Sequence, residues 1–389
     1  MTRSPLSLLW LMLLAALPAA PALSQEDETL AALDLADSAE FNPDAYQSLN
    51  MMFEAASSIN HQQEKEQRLS LDMRLDTPLG EKWRLVLSNR LDSRFTHRLS
   101  ETRYTNTLRE AWLSYRLTPQ MMLDMGRINT RYGVALGYNP TDFLGRGTVR
   151  SMTSADPETL RNNRMGNGMV RLQHFWDNAA VSALWAPKIR RGSADRSASL
   201  DWQASNPRDR LLLSASYRFA ENFNPQLLLF KEQQREPQFG LNLSRVLSRS
   251  TLIYGEWAGG RQPYSWQETL LPESQWDIAW RNRVAAGLTW TGENDLTLRL
   301  EGHYNGSAQP TVAGQDPRRS VLLQAYWKDF FAQYDLNLIA QRDLQRHKNM
   351  GFAELRHHLG PLDVALQWQK IYLLNLSERR WQISLDYWL

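Results

Sequence analysis

Arg380-Trp381-Gln382-Ile383-Ser384-Leu385-Asp386-Tyr387-Trp388-Leu389 closes the chain with a period of two. Trp381, Ile383, Leu385, Tyr387 and Leu389 fall on one face and Arg380, Gln382, Ser384 and Asp386 on the other, because successive side chains of an extended strand point to opposite sides. Helical spacing does not produce that order. Such a strand offers an unpaired edge and an apolar face until a neighbour covers both.

The same period runs back through the chain to Tyr46. Leu69, Leu71, Met73 and Leu75 alternate with Ser70, Asp72, Arg74 and Asp76, and Ala111, Leu113, Tyr115 and Leu117 alternate with Glu110, Trp112, Ser114 and Arg116. Val284, Ala286, Leu288 and Trp290 alternate with Arg283, Ala285, Gly287 and Thr289. Alternation alone also fits a water-soluble sandwich. The punctuation separates the two. Pro78-Leu79-Gly80, Thr118-Pro119, Asp177-Asn178, Ser248-Arg249, Gly292-Glu293-Asn294 and Gly360-Pro361 read as tight turns. Between them fall longer polar connections: His61 to Glu66, Arg94 to Arg103, Asn129 to Met165, Pro187 to Arg208, Gly260 to Ala279, Asn305 to Arg318 and Asp343 to Met350. Short and long connections in alternation are the mark of an outer-membrane barrel. The expected fold is an all-β, transmembrane, antiparallel up-and-down β-barrel of about 18 strands, with 16 as the alternative count. Tyr115, Trp176, Trp185, Tyr217, Tyr254, Trp290, Trp327 and Trp368 are expected on the lipid-facing side as aromatic girdles.

Composition agrees. The chain has 389 residues, 15 Trp, 13 Tyr, no Cys and 42% hydrophobic residues, too apolar and aromatic for a disordered chain and without material for a disulfide scaffold or a cysteine metal site. At the N-terminus, Arg3, the apolar run Leu6 to Leu17 and Ala22-Leu23-Ser24 read as a secretory signal peptide over residues 1–24, cleaved before Gln25. Its apolar run is shorter than the roughly 20 residues a helix needs to cross a bilayer. Residues 25–45 carry seven acids and no Lys or Arg, an acidic periplasmic leader segment expected as a tail or a plug. From residue 46 to 389, the barrel itself, there are 43 basic and 35 acidic residues. Both termini are expected in the periplasm of a Gram-negative bacterium, at the outer membrane.

Positions between the apolar ones face the lumen in this scheme. They include Arg84, Arg90, Arg116, Arg171, Arg283, Arg299 and Arg356, with acids such as Glu301, Asp76, Asp124, Asp363 and Asp386. An arginine excess favours anionic solutes, and pairing with acids on neighbouring strands is the plainer expectation for each arginine singly. The longest connection, Asn129 to Met165, is expected to fold into the barrel as a constriction loop, with Arg131, Tyr138, Asp142, Arg146 and Arg150 as its contributing side chains.

The last strand resembles the C-terminal assembly signal of bacterial outer-membrane proteins, an aromatic two residues before a terminal hydrophobic one. Trp381, Ile383, Leu385, Tyr387 and Leu389 carry it, with Leu389 where many members end in Phe. The resemblance implies the barrel-assembly machinery as a partner, beside outer-membrane lipid and lipopolysaccharide. Leu108-Arg109-Glu110-Ala111-Trp112-Leu113-Ser114-Tyr115, Met125-Gly126-Arg127 and Asn139-Pro140-Thr141-Asp142-Phe143 resemble the alginate-export and related porin-like families of Gram-negative outer membranes. That resemblance implies an 18-stranded barrel with an arginine-rich pore for an anionic polysaccharide.

The seven histidines show no His-Glu-x-x-His pattern, and no Gly-x-Ser-x-Gly elbow occurs. Adjacent His357 and His358 go to opposite faces of a strand, and His303 near Glu301 is expected as a lumen hydrogen bond rather than an acid–base pair. Basic residues are dispersed among acids, so no nucleic-acid partner is expected. The expected function is a passive channel for hydrophilic, anionic solutes, with no enzyme activity and no cofactor or metal. The alternatives are an export conduit for an anionic polysaccharide or lipid-like product working with a periplasmic partner, and a barrel enzyme or structural anchor.

Overall fold

The computed structural model describes residues 48–96, 102–145, 147–150, 153–189, 205–220, 222–309, 318–331, 333–345, 349–373 and 376–389. The signal peptide and the acidic leader expected over 1–45 lie outside the described residues.

Eighteen strands follow in chain order. The first six are β1 (Ser48–Asn60), β2 (Lys65–Pro78), β3 (Trp83–Thr96), β4 (Thr102–Thr118), β5 (Met121–Ile128) and β6 (Asn167–Trp176). The next six are β7 (Ala179–Ala186), β8 (Arg210–Tyr217), β9 (Gln226–Glu232), β10 (Gln238–Ser248), β11 (Thr251–Gln262) and β12 (Ala279–Thr291). The last six are β13 (Leu296–Asn305), β14 (Arg319–Phe330), β15 (Tyr334–Asp343), β16 (Asn349–Leu359), β17 (Leu362–Leu373) and β18 (Leu376–Trp388). Two six-residue helices, α1 (Pro157–Asn162) and α2 (Ser265–Leu270), sit in connections.

Each strand pairs antiparallel with its sequence neighbours, and β18 returns to β1 from Met52↔Trp388 to Asn60↔Arg380. Closure removes the edge that the last strand would otherwise expose. In β18, Trp381, Ile383 and Leu385 are exposed on the outside, as is Leu389 just after it, while Gln382, Ser384 and Asp386 are buried within. Tyr387 lies opposite Phe53 on β1 and Leu362 on β17. Trp176, Trp185, Tyr217 and Trp290 are exposed on the same outer surface.

All the tight turns read from the sequence lie at one end of the barrel. At the other end the connection expected at His61 to Glu66 is a four-residue turn rather than a long loop. The Asn60 side-chain oxygen accepts from the Gln62 and Glu64 amides at 2.9 Å each, so a single Asn folds the chain back at once.

Gly126 shows how local backbone sets the wall. Its φ is +133°, and a Cβ there would stand 2.3 Å from the Ala111 carbonyl oxygen on β4, inside the Trp112↔Gly126 pairing. Gly126→Ala is expected to break the β4–β5 ladder and cut the yield of refolded barrel severalfold, read as the heat-modifiable fraction on a gel. A wild-type yield would remove the close approach as a constraint.

β5, β7, β8 and β9 have only 7 or 8 residues, fewer than the about 9 to 11 of a typical membrane strand. Three of these strands present buried apolar side chains to the interior: Leu184, Leu212, Leu228 and Phe230. The thin sector of the wall is therefore greasy on both faces, and something must cover it from inside.

Candidate functional site: a loop clamped across the lumen

The cover is the connection from Asn129 to Met165. Tyr132, Phe143 and Leu144 from this loop pack on the inner face of β7 to β9 and β11, with the Phe143 ring stacked on Phe230 at 4.9 Å. Farther along, Leu136 and Ala155 pack on Leu322, Ile339 and Phe352 from β14 to β16. The loop thus spans from one side of the wall to the other. Full burial of each such side chain is worth about 1.5–3 kcal/mol, so the seating is an apolar one in the first place.

Backbone amides fix its register. The Glu256 carboxylate on β11 accepts from the Val134 amide and from the Ala135 amide at 2.5 Å, and Thr141 donates its hydroxyl to the same group at 3.1 Å. On β13, Glu301 accepts from the Leu136 amide at 2.6 Å, the Gly137 amide at 2.8 Å and the Tyr254 hydroxyl at 2.6 Å. Two wall carboxylates therefore hold four consecutive loop N–H groups. Gly133 precedes them at φ +94°, where a Cβ would fall 2.6 Å from a Glu256 oxygen. Glycine is what lets the backbone come that close.

Inside the loop, Arg164 donates to Asp142, to the Thr130 carbonyl and, at 2.7 Å, to Asn129. Arg161 spreads over the carbonyls of Tyr132, Gly133 and Ala135 at 3.3–3.4 Å. Asp156 caps α1 by accepting from the Thr159 amide at 3.1 Å, with Pro157 in the first turn. Burial pushes the Asp156 carboxyl above its ordinary range and lowers the Arg161 guanidinium.

The charge of the inner wall lies on β1 to β4 and β16 to β18. Glu54 accepts from Arg68 and, at 2.7 Å, from Arg90, which also reaches Asp92 at 2.9 Å. Arg109 binds Asp72 and the loop residue Asn163 at 3.1 Å. Arg84 grips Asp76 through two bonds of 2.7 and 2.6 Å, and Arg74 meets Glu110 at 3.1 Å. Across the β18 seam, Arg356 lies 2.6 Å from Asp386, 3.3 Å from Glu354 and 3.5 Å from Asp363. This wall is wet. Arg74, Arg84 and His358 face inward yet keep 39%, 38% and 38% of their side-chain surface exposed.

Of the arginines expected in the lumen, Arg84, Arg90, Arg171 and Arg356 are ion-paired, Arg171 with Asp124 at 2.9 Å. Arg116 donates to the Glu81 carbonyl at 2.6 Å. Arg299 reaches only the Thr289 hydroxyl at 3.3 Å, and Arg283 the Gln238 side chain at 2.8 Å, with its guanidinium 5.6 Å from the Phe143 ring centre. Among the described residues neither has a carboxylate partner. In the loop, Arg150 donates to the Asn106 carbonyl at 3.4 Å, Tyr138 faces His303 at 6.0 Å, and Arg131 is half-buried. Arg146 lies outside the described residues.

His303 and Glu301 do meet. His303 Nε2 is 2.9 Å from Glu301 and Nδ1 is 3.1 Å from the Ser320 hydroxyl, so the pair buttresses the loop clamp. His357 stacks on Tyr334 outside and His358 faces Asp335 and Asp363 inside, as adjacency in a strand demands.

Three features escaped the sequence. Tyr254, expected on the lipid side, points inward because its strand partner is the inward Gly287, and its ring packs on that glycine. Glu256, two residues on, shares that face and carries half the clamp. Arg109 is turned into the lumen by a bulge: Ser88 pairs with Glu110 and Asn89 with Leu108, leaving Arg109 as the extra residue. Only the parity break around Arg109 hinted at it.

No protein-family model matches the chain, and no curated protein matches it. Solved structures do. Pseudomonas aeruginosa OpdQ aligns with 88% of this chain and 98% of its own at a TM-score of 0.57 and 10% identity. Pseudomonas aeruginosa OccK5 (OpdH) gives 88%, 98%, 0.54 and 10%. The fold is that of the OprD/Occ porins. Pseudomonas aeruginosa OpdL shares it at 13% identity and a TM-score of 0.52, over 88% of this chain and 97% of that one. At these identities the likeness is one of fold.

Proposed function

We propose that the chain is an outer-membrane channel of a Gram-negative bacterium, passing small hydrophilic solutes passively with a preference for anions. One observation carries the reading: the loop from Asn129 to Met165 is clamped across the lumen by Glu256 and Glu301 beside a charged wall that is in part exposed. A constriction of this kind narrows a barrel without closing it, and its lining decides what passes. Arg283 and Arg299, which have no carboxylate partner among the described residues, supply the anionic preference. Residues 1–24 serve as the export signal, both termini face the periplasm, and the reading calls for no reaction and no cofactor.

Purified barrel in planar bilayers is expected to give steady openings whose reversal potential under a salt gradient is that of an anion-selective pore. A folded, inserted barrel that stays silent would falsify the open-channel reading.

A second reading, export of an anionic polysaccharide with a periplasmic partner, draws on the resemblance to the alginate-export family. Two of its three matching segments are neighbours, Leu108–Tyr115 on β4 and Met125–Arg127 on β5, while Asn139–Phe143 in the loop is seated on Asn242, Glu256 and Phe230 across the lumen. Removal of residues 25–45 separates the two, since a passive pore keeps its conductance and loses nothing else.

A further inference from the structure

The two carboxylates that hold the loop differ in what backs them. Glu301 on β13 has His303 Nε2 at 2.9 Å, and Nδ1 of that ring is 3.1 Å from the Ser320 hydroxyl on β14. Gln341 of β15 donates to the same hydroxyl at 3.3 Å, so the ring is held from behind. A histidine in this place turns its bond to the carboxylate into an ion pair when it takes up a proton. Proton uptake there keeps Leu136 and Gly137 seated.

Glu256 on β11 is placed otherwise. It is 2% exposed, and its partners are the Val134 and Ala135 amides, the Thr141 hydroxyl and, at 3.4 Å, the Asn139 side-chain amide. All four belong to the loop, and among the described residues no cation is bonded to Glu256. From β10 it faces Asn242, whose oxygen accepts from Thr141 at 2.8 Å and whose amide donates to Gln226 of β9 at 2.9 Å. From β12 it faces Ala285, and Arg283, one inward position along, is turned to Gln238. The next inward group on its own strand, Tyr254, gives its hydroxyl to Glu301. The charged side chains facing it are on the loop: Arg161, spread over the loop's own carbonyls, and beside that the Arg164 and Asp142 pair.

The apolar contacts divide along the same line. Tyr132, Phe143 and Leu144, which flank the partners of Glu256, pack on β7 to β9, whereas Leu136, itself a partner of Glu301, packs with Ala155 on β14 to β16. The loop therefore has two seats, one under each carboxylate. An ionised acceptor makes hydrogen bonds roughly twice as strong as a neutral one, and every bond at the first seat depends on the charge of Glu256 alone.

We infer that Glu256 is a proton switch in the constriction: its protonation loosens the loop over β7 to β11, while Glu301, backed by His303, keeps Leu136 and Gly137 as the pivot. As a carboxylic acid, Glu256 offers one neutral carbonyl oxygen, and its new O–H is a donor where Thr141 had found an acceptor. Val134 and Ala135, both on Oε1, are left on the weaker acceptor, and the attraction to Arg161 is lost. The direction follows: the seat is firm at the alkaline end and loosens as the pH falls. Acid thus widens the lumen on the side of the thin wall. The inference rests on the channel reading of the preceding section for its conductance, and on the clamp alone for its protease sensitivity.

Conductance of the full-length mature barrel in planar bilayers, scanned from about pH 8 to about pH 4, tests it beside Glu256→Gln and Glu301→Gln. Wild type is expected to gain at least about 1.5-fold in conductance toward acid, with noisier openings. Glu256→Gln, a neutral mimic of the protonated side chain, is expected to start at the acid level and to lose most of the response, although every other lumen carboxylate still titrates in it. Glu301→Gln retains Glu256 and is expected to retain the response. In proteolysis within Asn129 to Met165, wild type is expected to be cut at least about threefold more slowly than Glu256→Gln at about pH 8 and at the same rate at about pH 4, a ratio in which the protease's own pH dependence cancels. A flat wild-type conductance, which needs no variant to fold, overturns the switch. So does a full response in Glu256→Gln, or a flat one in Glu301→Gln. A barrel silent at every pH whose cleavage ratio still closes toward one sinks the channel and leaves the switch standing.

Discussion

Replacing Glu256 and Glu301 together by alanine is expected to raise single-channel conductance at least about twofold, with noisier openings, while the folded barrel survives. The physical reason is that these two carboxylates are the acceptors for four successive loop amides and for the Thr141 and Tyr254 hydroxyls. A buried donor left without an acceptor costs about 1–3 kcal/mol, and several such penalties exceed what the loop gains by staying seated. Release into the hydrated part of the lumen restores the bonds with water. The strand ladders and the ion pairs of β1 to β4 do not depend on either glutamate, so heat-modifiability on a gel stays as in wild type. Proteolysis within Asn129 to Met165 is expected to quicken in parallel. The pair Glu256→Gln/Glu301→Gln keeps one carbonyl oxygen at each site and is expected to fall between the two. Unchanged conductance and unchanged proteolysis in the alanine variant would show that the apolar seats of Tyr132, Phe143, Leu144 and Leu136 hold the loop unaided.

That clamp also marks the limit of what the sequence discloses. The barrel was legible because its signals are local: period-two alternation in β2, β4, β12 and β18, and turns made of Pro, Gly and Asn. The strand count of about 18 follows from counting such units, and the inward loop from a long connection that looks ordered rather than low in complexity. The clamp is non-local. Val134 and Glu256 are 122 positions apart, and nothing in either segment names the other. Parity was recoverable for most strands and failed where a second apolar face existed. Leu211–Leu213 and Leu227–Phe230 are continuous apolar runs, which is how a strand buried on both sides reads, and they announce a greasy patch inside the barrel. Tyr254 reads onto the lipid side from sequence because Leu252-Ile253-Tyr254 is such a run too, and its pairing with Gly287 turns it inward. The long connection expected at His61 to Glu66 failed for a third reason: polar composition does not distinguish a loop from a turn that one Asn side chain closes.

The arginines divide into two kinds, and Arg356→Gln against Arg299→Gln separates them. Arg356 neutralises Glu354, Asp363 and Asp386, whose side chains retain 18%, 11% and 7% exposure. Its removal leaves three carboxylates in one patch with the His358 imidazole 2.8 Å from Asp363. Breaking a fully buried pair costs about 3–5 kcal/mol; with this arginine partly hydrated the expected loss is about 2–3 kcal/mol, seen as a lower temperature for the gel-shift transition. The exposed negative charge then draws cations, and the reversal potential is expected to move through zero toward cation selectivity. Among the described residues Arg299 has no carboxylate to abandon, since its hydrogen-bond partner is the Thr289 hydroxyl at 3.3 Å. Arg299→Gln is expected to reduce anion preference without changing sign and to leave the unfolding temperature within a degree or two of wild type. Both substitutions remove one positive charge from the same lumen, so a pore sensitive only to net charge responds equally to both. A larger shift in Arg356→Gln, coupled to lost stability, shows that selectivity is written in which carboxylates are left uncovered. Equal shifts with equal stability would instead mean that the ion pairs of this wall are dissolved in the open channel and that its arginines act as independent charges.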